Sequence, residues 1–291
     1  MTISRKPVLE LFRPQTWRSK VASIARKSIP SDVLAHIKDI PGEDMYEDTM
    51  LYLEDAYRAC GYSFNPSVTE ALTEAVLGKF SLFRGYHGCR PSSLESYHRD
   101  GLVVLNCERL AKLAYEVLGG SIPLPELERR ARFADLETRA DRVYFCADAD
   151  YLVSECGHYL LQGSEALNCL WDTTNPDDSR WFDECQQRSR SHGIPTVFVC
   201  DVPIDSMERC YRSELGRTLL TLHLQLASSK PVLQEDWSRN WGYAISRDLP
   251  ASHIKSHFHP ASIPDPLRPP AIYRNPQTRC EWCPAPVVPV I

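Results

Sequence analysis

The sequence predicts an α+β fold in which helices come first and the strands are few and set apart. Three observations carry this. Over residues 31–78 the apolar residues recur at helical spacing, broken only by Gly and Pro punctuation. Beyond residue 79 the β-prone runs, residues 83–88, 143–146, 194–201 and 241–246, stand far apart with helical stretches between them. No Gly-rich phosphate loop follows any of these runs, which separates the chain from a doubly wound dinucleotide-binding sheet.

Composition sets the limits. A chain of 291 residues, 43% hydrophobic, holds one large domain or a domain with accessory segments. The net charge of −5 implies no overall attraction to nucleic acid. No run approaches the roughly 20 apolar residues that span a bilayer, and the start lacks the apolar core of a secretory signal. The eleven cysteines are odd in number and scattered, and Cys146, Cys169 and Cys200 sit inside apolar runs. That usage reads as reduced thiols in a cytoplasmic compartment rather than a disulfide scaffold.

Taken in order, residues 1–27 carry seven Lys/Arg against one acid, Glu10, with Val8, Leu9, Phe12, Trp17, Val21 and Ile24 as an irregular apolar stripe. The segment reads as a solvated helix packed on the domain; the same pattern also suits contact with RNA or an anionic membrane, or an organelle transit peptide. Ser31 and Asp32 open a helix that ends near Ile40, a second helix closes at Gly61, and Pro66-Ser67 opens a third that closes at Gly78. These helices form an N-terminal layer, residues 1–78.

The stretch Phe83-Arg84-Gly85-Tyr86-His87-Gly88-Cys89 reads as a strand ending at His87-Gly88. A helix over 92–100 follows, with Ser92 or Ser93 as cap, Glu95 returning a capping-box bond, and Gly101 as its stop. Leu102 to Leu105 extends as a short strand or loop. Residues 108–118 are helical, Pro123 and Pro125 interrupt, and 127–138 forms another amphipathic helix. The run Val143 to Cys146 is a strand that enters a helix through an acidic turn. A helix spans 179–190, and Ile194 to Asp201 is a buried strand. Residues 206–226 are ambiguous: the alternating leucines at 220, 222, 224 and 226 favour a strand, although leucine richness also suits a helix; residues 241–246 form a late strand. From Pro260 onward nine of 32 residues are proline, so 261–291 reads as an extended tail. Within it Cys280-x-x-Cys283 is half of a zinc site, which His253, His257 and His259 are available to complete. A second Cys pair with finger spacing is lacking, and no metal ligand is assigned.

Tyr86-His87-Gly88-Cys89 with Gly101-Leu102 resembles the first motif of the ADP-ribosyltransferase superfamily, in its His-Tyr-Glu branch of diphtheria-toxin-like and poly-ADP-ribose-polymerase-like enzymes. Cys89 stands where that family has Ser or Thr. The second run, Val143-Tyr144-Phe145-Cys146-Ala147, resembles the family's aromatic strand. The resemblance covers residues 79–260 and implies a split sheet of two small antiparallel parts. It implies NAD as co-substrate, with the nicotinamide ring stacked on Tyr144 and Tyr159 (or Tyr151) on the opposite side. His87 would bond the adenine-side ribose, and Gly88 and Ser154 the carboxamide. Aromatic faces suit a planar cation.

The family's third signature is a glutamate at the start of a late strand, where it stabilises the oxocarbenium-like transition state. Here Gly242 stands in that place. Glu235 is the acid assigned to the role, with Asp236 and Glu214 as alternatives. The resemblance implies a cytoplasmic mono-ADP-ribosyltransferase of the toxin or defence-effector kind. Its acceptor would be a protein or nucleic acid, with an antitoxin or regulatory partner. The alternatives are a non-catalytic NAD- or ADP-ribose-binding module, which the absent glutamate favours, or an NAD hydrolase.

Overall fold

The computed structural model describes residues 7–42, 49–65, 67–133, 141–174, 179–234 and 237–283. Its strands are β1 (Val8–Leu9), β2 (Leu82–Cys89), β3 (Val143–Cys146), β4 (Thr196–Pro203), β5 (Gly242–Ile245), β6 (Ile254–Phe258), β7 (Ser262–Pro264) and β8 (Ile272–Arg274). Its helices are α1 (Arg18–Ser28), α2 (Ser31–Asp39), α3 (Thr49–Ala59), α4 (Ser67–Leu77), α5 (Glu95–Asp100), α6 (Cys107–Val117), α7 (Leu124–Phe133), α8 (Ala149–Ser154), α9 (Gly157–Gln162), α10 (Glu165–Thr174), α11 (Ser179–Ser191) and α12 (Arg209–Ala227). The fold is therefore α+β. Among the described residues no helix is long and apolar enough to cross a membrane. The chain divides into two units: residues 1–84 with 202–243, and residues 85–201 with 244–291. The first unit thus takes in 202–243, a stretch the sequence groups with the catalytic domain.

In the first unit the basic N-terminal segment turns its apolar stripe inward. Trp17, Val21, Ile24 and Ala25 are buried, while Arg18, Arg26 and Lys27 face solvent. The Trp17 indole donates to the Leu11 carbonyl at 2.9 Å and stacks on Trp237. The strand favoured within 206–226 is instead the 19-residue helix α12. Its leucines misled because the helix is buried on more than one side. Leu215, Leu219 and Leu222 follow helical spacing, and Leu220 and Leu224 are buried as well. Gly216 lets α4 approach: a Cβ there would lie 2.1 Å from the Thr73 methyl.

The main sheet is ordered β5–β3–β2–β4–β6, and most of its residues (85–89, 143–146, 196–201, 244–245 and 254–258) fall in the second unit. β3 runs antiparallel to β2 (Tyr86 opposite Cys146), and β6 antiparallel to β4 (Phe198 opposite His257). The short β1 adds in parallel to the start of β2. Helices α6, α7, α10 and α11 enclose a separate core of Leu110, Ala114, Leu127, Leu170, Trp171 and Cys185. Helix α10 escaped the sequence reading, whereas α11 lies where a helix over 179–190 is expected.

Several expected boundaries move. Helix α5 begins at Glu95, with Leu94 as its N-cap and no side-chain cap bond. Ser93 Oγ instead accepts the Glu95 N–H at 3.2 Å, so the capping box does not form. Gly101 does close α5, with φ +88°, and a Cβ there would fall 2.0 Å from the Leu249 carbonyl oxygen. Helix α7 starts at Leu124, because Pro125 sits in its first turn, where no N–H is required. Residues 134–138 of that expected helix lie outside the described residues. Residues 261–283 of the tail are folded rather than free: β7 pairs with β8, Ile263 is fully buried, and buried Asp265 pairs with Arg190 at 2.6 Å; residues 284–291 lie outside the described residues.

Candidate functional site

The first two motifs fall on neighbouring strands of the second unit. Strand β2 continues through Cys89, two residues past His87. His87 is half-buried; its Nδ1 lies 2.8 Å from the Tyr144 carbonyl oxygen, and its ring lies 5.9 Å from that of Phe145. A carbonyl only accepts, so Nδ1 carries the proton and Nε2 is a bare acceptor. Burial lowers the imidazole's pKa, only partly offset by the bond to Tyr144. His87 is therefore a neutral ring at pH 7, with one nitrogen fixed and the other able to accept from a hydroxyl.

The pleat sorts the remaining residues. Tyr86 opposes Cys146, so Tyr144, two residues earlier on β3, projects from that same face, and His87 turns to the other. Tyr144 is 42% exposed, unusual for an aromatic residue on a strand flanked by buried Val143 and Phe145. Tyr86, Cys146 and Tyr159 pack together around Leu152, Leu160, Leu161, Val197 and Ile263. The structure thus brings Tyr159, from α9, to the face from which Tyr144 projects. The Tyr159 hydroxyl donates to Glu165 Oε2 at 3.3 Å, and burial with that carboxylate raises its pKa.

The expected single helix after β3 is two. Asp148 caps α8 by accepting the Tyr151 N–H at 2.8 Å; Tyr151 and Ser154 lie on α8, and Tyr159 lies on α9. Gly88 does not offer an open face. A Cβ there would meet Leu152 and Leu160 at 3.2 Å, so its bareness serves the packing of α8 and α9. Cys89, in the motif's hydroxyl position, is buried, and its thiol is pushed up to about 12. It is not a nucleophile at neutral pH.

The third signature stays incomplete. Gly242 is the exposed first residue of β5, which neighbours β3. Glu235 and Asp236 lie outside the described residues. Glu214 is an exposed residue of α12 in the first unit. A cavity of about 290 Å³ opens beside Cys89, Arg90, Ser96, Tyr97 and His192. None of His87, Tyr144, Ser154 and Tyr159 lines it.

Sequence reasoning left one group unassigned. His257, His259, Cys280 and Cys283 come together at the edge of the same unit, with their ligand atoms within 4.8 Å of one another. His253, the third candidate, does not join; its Nδ1 bonds the Asp201 carbonyl at 2.6 Å. The His-x-His spacing at the end of β6 was the available signal, since residues two apart in an extended segment share a face. All eleven cysteines are free thiols.

No protein-family model, curated protein or solved structure matches the chain.

Proposed function

We propose that the chain is a mono-ADP-ribosyltransferase that uses NAD as substrate and modifies a protein or nucleic acid. The observation that carries this reading is the pairing of β2 with β3. It sets an exposed tyrosine, Tyr144, on the face that holds Tyr159, while His87 turns to the opposite face of β2. The split-sheet ADP-ribosyltransferase architecture is part of the same proposal.

In the reaction the bond between nicotinamide and ribose breaks, nicotinamide departs with the bonding electron pair as a neutral amide, and a nucleophile on the acceptor forms the new bond to C1″ and loses its proton. The Tyr144 ring offers a π-face to the planar cation, worth about 0.5–2 kcal/mol. By the pleat His87 turns to the opposite face from Tyr144, so the ribose contact that the resemblance assigns to it is not part of this reading. Tyr159, kept protonated and tied to Glu165, closes the other side of the ring. The free thiols suit a reducing cytoplasm. A partner that restrains the activity fits a toxin or defence effector.

The test is release of nicotinamide from NAD labelled on its adenine side, with cell lysate as acceptor. Wild type is expected to release nicotinamide and label a macromolecule, and Tyr144→Ala to lose both. Release without transfer would make the chain an NAD hydrolase. Gly242 favours a second reading, a non-catalytic NAD- or ADP-ribose-binding module on the same site, because the position brings no carboxylate. That reading predicts binding with no release.

A further inference from the structure

The C-terminal Cys-x-x-Cys lies against the end of β6. His257 is the fourth residue of that strand and His259 follows it by two, so both rings project to one side, with centroids 5.3 Å apart. Both are buried, at 4% and 5% exposure. Residues 280–283 form a tight turn in which the Cys283 N–H donates to the Cys280 carbonyl and the Cys280 N–H points at Cys283 Sγ, 3.4 Å away.

Three of the donor separations are those of a coordination tetrahedron. His257 Nε2 is 3.3 Å from Cys280 Sγ and 3.6 Å from Cys283 Sγ, and the two sulfurs are 3.6 Å apart. Metal–nitrogen bonds of about 2.0–2.1 Å and metal–sulfur bonds of about 2.3 Å, at tetrahedral angles, set donors roughly 3.3–3.8 Å apart. No separation within the four exceeds 4.8 Å.

His259 is already oriented as a ligand. Its Nδ1 lies 3.0 Å from the Pro195 carbonyl oxygen and 3.1 Å from Thr196 Oγ1. The carbonyl requires Nδ1 to carry the proton, leaving Nε2 bare. That Nε2 is buried and has no hydrogen-bond partner. A buried bare acceptor is costly unless something fills it, and a ring nitrogen held by a carbonyl on its far side is the usual outer support of a metal ligand.

We infer that His257, His259, Cys280 and Cys283 bind one Zn²⁺ ion as a closed, structural Cys₂His₂ site. Two thiol protons pass to solvent on binding, so two thiolates and two neutral imidazoles leave the loaded site without net charge. Four protein donors leave no open position for water or substrate, which separates this site from a hydrolytic zinc. The ion fastens the C-terminal turn to β6. It also holds Trp282 over His98 of α5, where the rings stack at 4.8 Å with 17° between planes.

The test begins with the full-length chain, purified with reductant and dialysed free of loose metal. It is expected to carry about one zinc per chain. Exchange into cobalt is expected to give thiolate-to-metal charge transfer and the visible bands of a tetrahedral ion. Iodoacetamide with mass mapping is expected to spare Cys280 and Cys283 until a chelator is added, while exposed Cys210 reacts in both states. The C280S/C283S double variant is expected to fall below a tenth of the wild-type zinc, and His253→Gln to retain it. Should the double variant not fold, the wild-type cobalt spectrum and the alkylation pattern decide. A reduced wild-type chain that takes up neither zinc nor cobalt would overturn the assignment, as would Cys280 and Cys283 alkylated equally with and without chelator.

Discussion

Strands β2 and β6 of the same unit both carry histidines, and the two are finished differently. Just past the end of β6, His259 has its Nδ1 held by a carbonyl and its bare Nε2 beside three more donors in a closed cluster. On β2 His87 is held in the same tautomer by the Tyr144 carbonyl, but Tyr144 itself faces solvent. A closed donor set defines its occupant without outside help. An open set needs a ligand to complete it, and its specificity rests on the few groups that meet that ligand.

Helix α5 touches both sides of this comparison. Tyr97 hydrogen-bonds the Cys89 thiol at the end of β2, and His98 stacks on Trp282. The helix ends at Gly101, whose positive φ and contact with Leu249 admit no side chain. Gly101→Ala is therefore expected to have the largest effect, a loss of at least about 2 kcal/mol by urea unfolding, and to loosen Trp282, read as a shift in tryptophan emission. An unchanged unfolding midpoint would show that α5 is not the shared support.

A comparable effect is expected in the first unit, where it serves as a pH control. Burial, reinforced by Arg18, Arg26 and Lys38, holds His223 down at about 4, against an ordinary value near 6.5. A depressed histidine favours the folded state above its unfolded pKa, and that stability drains away as pH falls from about 6.5 toward about 4. The amount is on the order of 3 kcal/mol. His223→Leu is expected to flatten this loss, seen as a smaller gap between urea midpoints at pH about 5 and about 7.5. A gap equal to wild type would show that His223 does not titrate as described.

A smaller effect sharpens the closed side. Thr196→Val removes the hydroxyl beside His259 Nδ1 while keeping side-chain volume. Zinc affinity is expected to fall roughly tenfold in competition with a chromophoric chelator. NAD binding should be unaffected. A matching loss of NAD affinity would mean the two histidine regions are not independent.

The sequence made the strands legible where a residue pattern had one meaning. The β-branched run 194–201 and the aromatic run 143–146 are strands because nothing else suits short buried runs bounded by turns. Gly101 was legible because a helix stop needs a positive φ. Helix α12 was not legible, since leucines buried on several sides erase the helical period that an amphipathic segment would show. The basic N-terminus was legible as a helix packed on the domain: Trp17 and Val21 belong to the core, so deleting it would remove packing as well as charge. The zinc cluster was half legible: Cys-x-x-Cys named itself. The choice of His257 and His259 over His253 depends on which face of β6 the tail returns to, and that is set by tertiary pairing rather than spacing.

The most direct test of the open site is NAD binding to the full chain, by calorimetry, for wild type and Tyr144→Ala. Tyr144 is exposed, so its removal is expected to leave stability within about 0.5 kcal/mol. Affinity should fall by about tenfold, as loss of a stacked ring over a planar cation requires. Binding separates the site from the missing carboxylate, because a non-catalytic module would show the same loss. Equal affinity in the two proteins, or no binding by wild type, would contradict the assignment of β2 and β3 as the NAD site.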